Sequence, residues 1–124
     1  MRLLLDTHVV LSWAGHEGRL SALADQQIDD ASNQLLVSAV VVWEIAIKRA
    51  LGKLRTPEGF VADLLESSAT KLPISAEHAA GVEHLPPHHR DPFDRLLVSQ
   101  ATIEGATLVS SDEALRAYDV AVLW

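Results

Sequence analysis

The sequence predicts an α/β fold built on a covered parallel sheet, and two observations lead there. Apolar blocks of four or five residues alternate with longer helix-like stretches, as repeated strand–helix units require. The blocks are mostly unbroken rather than alternating with polar residues, which suits strands buried on both faces. A third observation bears on function: acidic residues stand at or just past the ends of these blocks, where open α/β sheets bind ligands.

The elements follow in order. Arg2 to Leu5 is the first strand, and Asp6 comes directly after it, suited also to cap a helical segment starting at Thr7. Ser21 to Ala31 carries helical signals and Gln34 to Val37 is the second strand. The apolar helix Ala39 to Leu51 is stopped by Gly52. Thr56-Pro57-Glu58 sets a capping hydroxyl, a first-turn proline and an early acid in order, which predicts a helix over Pro57 to Ser68. Lys71 to Ile74 is the third strand and Ser75 to Glu83 a helix. Leu85-Pro86-Pro87-His88-His89 must be loop. In Asp91-Pro92-Phe93-Asp94, Asp91 can cap and Pro92 can take the first turn of the helix Phe93 to Glu104. Thr107 to Val109, Ser111 to Tyr118 and Val120 to Leu123 complete the pattern as strand, helix and strand. There is no internal repeat, low-complexity tract or linker.

At 124 residues the chain, 1–124, has the size of a single domain, and its 48% apolar content suffices for one core. The absence of cysteine excludes a disulfide scaffold and a thiolate zinc site. The apolar start is interrupted by Asp6 and His8 and lacks a cleavage pattern, and no run approaches the roughly 18 apolar residues of a membrane span. A soluble cytoplasmic protein is expected. With 17 acids against 10 bases the net charge is −7, the wrong sign for holding nucleic acid by general electrostatics. A polyanionic substrate would have to meet local positive charge or bound metal. Lys48, Arg49, Lys53 and Arg55 form the dense basic segment, suited to RNA phosphates or simply to a helix C-terminus.

Four acids are candidates for one site: Asp6, Glu44, Asp94 and Asp112. Carboxylates gathered at strand ends without thiols make a hard-cation site, and such sites serve metal-dependent phosphodiester chemistry. Each has a plainer explanation. Asp6 can be an N-cap, Ser110-Ser111-Asp112-Glu113 fits a capping box, and Asp91 suits a cap better than a ligand. Glu44 shares an apolar stripe with Val40, Val41 and Ile47, where an unpaired carboxylate is expensive; its alternative partner is Lys48, one turn on.

Four stretches resemble the PIN domain family, and within it the VapC-type ribonuclease toxins: LLLDTHVVLSW, SAVVVWEIAIKRALGKL, HHRDPFDRLLVSQA and ATLVSSDEAL. Together they span nearly the whole chain. The resemblance implies a three-layer α/β/α sandwich with a parallel sheet of four or five strands. Carried over, the family's acidic pocket falls on Asp6, Glu44, Asp94 and Asp112, with Asp91 the competing assignment inside DPFD. Asp94 is preferred because DRLLVSQA resembles the family's acid opening an apolar helix that ends in alanine. Asp6 and Asp94, with Asp112, would hold magnesium or manganese, Glu44 would complete the site, and Ser110 resembles the family's small hydroxyl residue that helps hold water.

The implied activity is an endoribonuclease whose bound metal activates water, leaving a 5′-phosphate and a 3′-hydroxyl. The implied partners are an antitoxin, which places basic side chains in the acidic pocket, and a second copy of the toxin. His88, His89 and Arg90 either reach RNA phosphates at the pocket mouth or form a plain solvated loop. Pro86-Pro87 breaks the helix that would align His84 and His88 on zinc. Trp43 neighbours Glu44 but points about 100° away, and is expected in the core. Two other classes remain open. One is a PIN-like RNA- or protein-binding module without catalysis. The other, a phosphotransfer enzyme or receiver, lacks its acids: His8 stands where a second aspartate is needed.

Overall fold

The computed structural model describes residues 1–15 and 18–124. Strands β1 (Arg2–Leu5), β2 (Gln34–Ser38), β3 (Thr70–Leu72), β4 (Thr107–Val109) and β5 (Val122–Leu123) form one sheet. All pairings are parallel and the strand order is β3-β2-β1-β4-β5. The helices are α1 (Thr7–Trp13), α2 (Ala22–Asp29), α3 (Ala39–Ala50), α4 (Phe60–Glu66), α5 (Ala76–Gly81) and α6 (Pro92–Glu104). Leu3, Leu4 and Leu5 are all fully buried. Successive strand side chains point to opposite faces, so helices cover both faces of the central strand and the molecule has three layers.

The strand order positions the site. From β1 the chain steps outward through β2 to β3, then crosses back to lay β4 on the other side of β1. That reversal opens a crevice at the carboxyl ends of β1 and β4. Leu5 pairs with Val109, and the Asp6 N–H donates to the Val109 carbonyl at 3.1 Å. Asp6 and Ser110 therefore leave the sheet side by side.

A buried polar link fixes the helices above this crevice. Gln100 of α6, with no exposed surface, accepts the Ser38 hydroxyl at 2.5 Å and donates to the Pro73 carbonyl at 3.3 Å. Ser38 in turn caps α3 by accepting the Val40 N–H at 3.0 Å. Side chains lost to solvent need such partners, and these hold the start of α3 to the middle of α6.

Several elements differ from expectation. The third strand starts at Thr70 and stops at Leu72, before Pro73, which has no N–H to give a ladder. The helix expected from Pro57 begins at Phe60. The Pro57 carbonyl instead accepts the Phe60 N–H at 3.1 Å, closing a turn in which Gly59 has φ +79° and ψ 0°, the values of the third residue of a type II turn. Thr56 caps nothing, and its hydroxyl is buried without a hydrogen-bond partner. The helix expected over Ser111 to Tyr118 is a 3₁₀ segment, Glu113–Ala117, capped by Asp112.

Trp43 is not in the core: it is 52% exposed, with its ring meeting Phe93 edge-on at 5.1 Å. The buried face of α3 is set by Val40, Val41, Glu44 and Ile45. At 100° per residue Trp43 falls about 130° from the middle of that face.

Candidate metal centre

Asp6 combines both roles offered by the sequence. Its Oδ1 accepts the Val9 N–H at 2.8 Å and so caps α1, while the carboxylate is 4% exposed at the crevice. Burial pushes its pKa up, against the hydrogen bonds from the Ser110 hydroxyl and Val9 that favour the charged form.

Glu44 is buried as the apolar stripe of α3 requires, but it is not unpaired. Oε1 accepts the Thr7 hydroxyl at 2.7 Å, and Oε2 meets Lys48 Nζ at 2.5 Å. The i,i+4 pair with Lys48 therefore exists, and the hydrogen bond to Glu44 raises the Lys48 pKa. Thr7, on α1, ties Glu44 to the element that Asp6 caps.

In DPFD the two aspartates divide the work. Asp91 Oδ1 accepts the Phe93 N–H at 2.8 Å and the Asp94 N–H at 3.4 Å, so it caps α6 with Pro92 in the first turn. The Asp94 carboxyl is pushed up to about 6 by burial first, then by the charge of Asp91, with His89 opposing and Asp6 and Glu44 adding. Three acids from three elements thus act on one carboxyl. Asp112 caps the 3₁₀ segment through Oδ1, which accepts the Ala114 N–H at 3.0 Å. Its own N–H donates to Ser110 Oγ at 3.0 Å.

His89, expected either at the pocket mouth near RNA phosphates or in a plain solvated loop, turns its ring onto the acids themselves. Its Nδ1 accepts the Asp91 N–H at 3.0 Å. The remaining ring proton is therefore on Nε2, which faces Asp112 Oδ2 at 3.0 Å and Asp94 Oδ2 at 3.2 Å. Ligand atoms of His89, Asp94 and Asp112 lie within 4.8 Å of one another. The adjacent His88 goes elsewhere, its ring edge-on to Tyr118 at 5.2 Å. A loop histidine two residues before a capping aspartate was the signal available.

All four candidate acids, with Asp91, Thr7, His8 and Lys48, line one cavity of about 80 Å³. Liquid water takes about 30 Å³ per molecule, so the space suits an ion with a few waters. Five carboxylates face one lysine, an imbalance that a divalent cation would offset, and the donors are oxygens of the kind magnesium and manganese prefer. The residues therefore fit such an ion. Of the cations expected to meet RNA, Lys48 lines this cavity. Arg49, Lys53, Arg55 and Arg90 are exposed and outside its wall.

A family model described as PIN domain matches residues 3–121. Ribonuclease VapC22 of Mycobacterium tuberculosis is similar to the chain, 32% identical over 118 residues that cover 93% of this chain and 90% of the relative. Among solved structures, VapBC2 from Rickettsia felis, bound to a DNA fragment from its promoter, superposes with a TM-score of 0.74 at 19% identity, covering 100% of this chain and 99% of that one. DNA-bound VapBC from Salmonella typhimurium gives 0.72 at 13% identity, covering 99% and 97%. These likenesses show the fold.

Proposed function

The chain belongs to the PIN domain family, and on that premise we propose that it is a divalent-metal-dependent endoribonuclease, the toxin of a toxin–antitoxin pair. The observation that carries this reading is the convergence of Asp6, Glu44, Asp94 and Asp112 on one small cavity at the β1–β4 crevice. Asp6, Asp94 and Asp112 would hold magnesium or manganese there, and when bound the ion would lower the pKa of a water and offset charge on the phosphate. The chain supplies the rest. Ser110 steadies Asp6, and Asp91 fixes the start of the helix that carries Asp94. Glu44, held by Thr7 and Lys48, orients water at the cavity wall. Lys48 adds positive charge beside the phosphate, and Arg49, Lys53, Arg55 and Arg90 meet the RNA backbone outside.

The similarity to a ribonuclease named VapC22 supports the activity. Solved VapBC structures of the same fold support assembly with an antitoxin. Among the described residues no helix is long and apolar enough to cross a membrane.

Incubation of a mixed RNA pool with the purified protein and magnesium, manganese or EDTA tests the reading. Cleavage leaving 5′-phosphates, dependent on metal and reduced at least about a hundredfold in folded Asp6→Asn and Asp94→Asn, is expected. Equal cleavage in EDTA, or by both variants, would overturn it.

A further inference from the structure

A second, larger cavity adjoins the acidic one, and the geometry points to it as the subsite for the nucleoside next to the cleaved phosphate, with the indole of Trp124 as its stacking surface. This rests on the nuclease reading and adds to it where the substrate lies. The cavity is about 490 Å³ and is lined by His8, Leu11, Arg19, Leu54, Ser111 and Trp124, among others. Pockets for small organic groups run from roughly 300 to 1,000 Å³. The acidic cavity, at about 80 Å³, has room for an ion and a phosphoryl oxygen but none for a base.

The two spaces are neighbours. His8 lines both, and Ser111, in the wall of the larger one, directly precedes Asp112, in the wall of the smaller. A nucleotide whose phosphate sits at the carboxylates must place its sugar and base close by, and this half-open neighbouring cavity is of sufficient size.

The lining is of mixed character, as a nucleoside needs. Leu11, Leu54 and the partly buried Trp124 give apolar area and an aromatic ring. Ser111 and His8 bring hydrogen-bonding groups to the same walls. Bases stack on aromatic side chains whatever their identity, which suits a site that reads unpaired RNA.

Charge completes the case. The exposed cation Arg19 is in the wall. After α3 the chain folds back, with the Lys53 and Leu54 N–H groups both donating to the Lys48 carbonyl at 2.8 and 3.2 Å. This turn brings Leu54 into the cavity wall with the exposed Lys53 and Arg55 on either side of it in sequence. On a chain of net charge −7, a cavity with Arg19 in its wall and two exposed cations next in sequence to Leu54 is where a polyanion is met without facing the acids alone.

The test measures binding of a short fluorescein-labelled single-stranded RNA of mixed sequence, in calcium, by anisotropy. The proteins are the wild type, Trp124→Leu, Trp124→Phe and Arg19→Ala, each also titrated with manganese by calorimetry. Trp124→Leu is expected to weaken RNA binding roughly tenfold or more while Trp124→Phe, which keeps a stacking ring, stays within about threefold. Arg19→Ala, at an exposed position that does not endanger folding, is expected to weaken binding and flatten its salt dependence by about one unit of slope. Manganese affinity should be unchanged in all three. RNA binding and cleavage by Trp124→Leu and Arg19→Ala at wild-type levels would overturn the subsite and leave the nuclease reading standing. Failure of the wild type to bind or cut RNA would overturn both.

Discussion

Asp94 carries the most information of any single residue. Its carboxyl is pushed up from 3.8 to about 6, first by burial and then by the neighbouring Asp91 charge. An acid whose folded pKa lies above its unfolded one stabilises the fold below the unfolded pKa, and that contribution is lost as pH rises through the folded pKa. From about pH 4 to 6 the metal-free protein should therefore lose about 1–2 kcal/mol on account of this group, less than the full shift would give because the carboxyl is partly open to solvent. Asp94→Asn removes the charge and keeps an oxygen for His89 Nε2. In EDTA at pH 8 this variant should be more stable than the wild type by about 1–2 kcal/mol, and at pH 4 the difference should vanish. Denaturant melts at the two pH values check it; a variant less stable at pH 8 would mean that the carboxylate is compensated by the protein itself. At this scale the acids were legible, because a carboxylate in an apolar stripe or past a strand end is chemically conspicuous. For His89 only a place at the pocket mouth was legible, since its contact with the acids exists only once the loop folds over Asp94 and Asp112.

At the scale of elements, capping signals were informative where the chain after them was free to turn at once into a helix. Asp91-Pro92 opens α6 as its spacing suggests, and Ser38 and Asp6 cap as their types allow. Thr56-Pro57-Glu58 carries the same signal and fails. Gly59 supplies a left-handed residue two places on, and a tight turn takes the Pro57 carbonyl before a helix can. Two opposite mutational effects follow. Thr56→Val should be neutral or stabilise by about 1 kcal/mol, because it removes a buried hydroxyl without a partner; loss of about 1 kcal/mol would indicate a cap after all. Gly59→Ala, at φ +79°, should destabilise by about 1 kcal/mol. Thermal melts of both single variants separate the alternatives. Trp43 fell outside the core for a related reason: four residues of one helix set the buried face, and a large aromatic does not move it.

For the whole molecule, the fold class could be read from the sequence but the topology could not. Alternating apolar blocks announce α/β units, and five strands were found close to their expected places. The order β3-β2-β1-β4-β5 depends on which edges pair across long stretches of chain, which no local pattern encodes. Yet that order makes Asp6 and Ser110 neighbours and opens the crevice into which α3 and α6 bring Glu44 and Asp94. The central claim is that these scattered acids are one metal site, and calorimetric titration of the metal-free protein with manganese tests it most directly. The wild type should bind manganese, more weakly below pH 6 as Asp94 takes up a proton, and folded Asp6→Asn and Asp94→Asn should each bind it at least about tenfold more weakly. No heat of binding in the wild type, or equal affinity in both variants, would contradict the account.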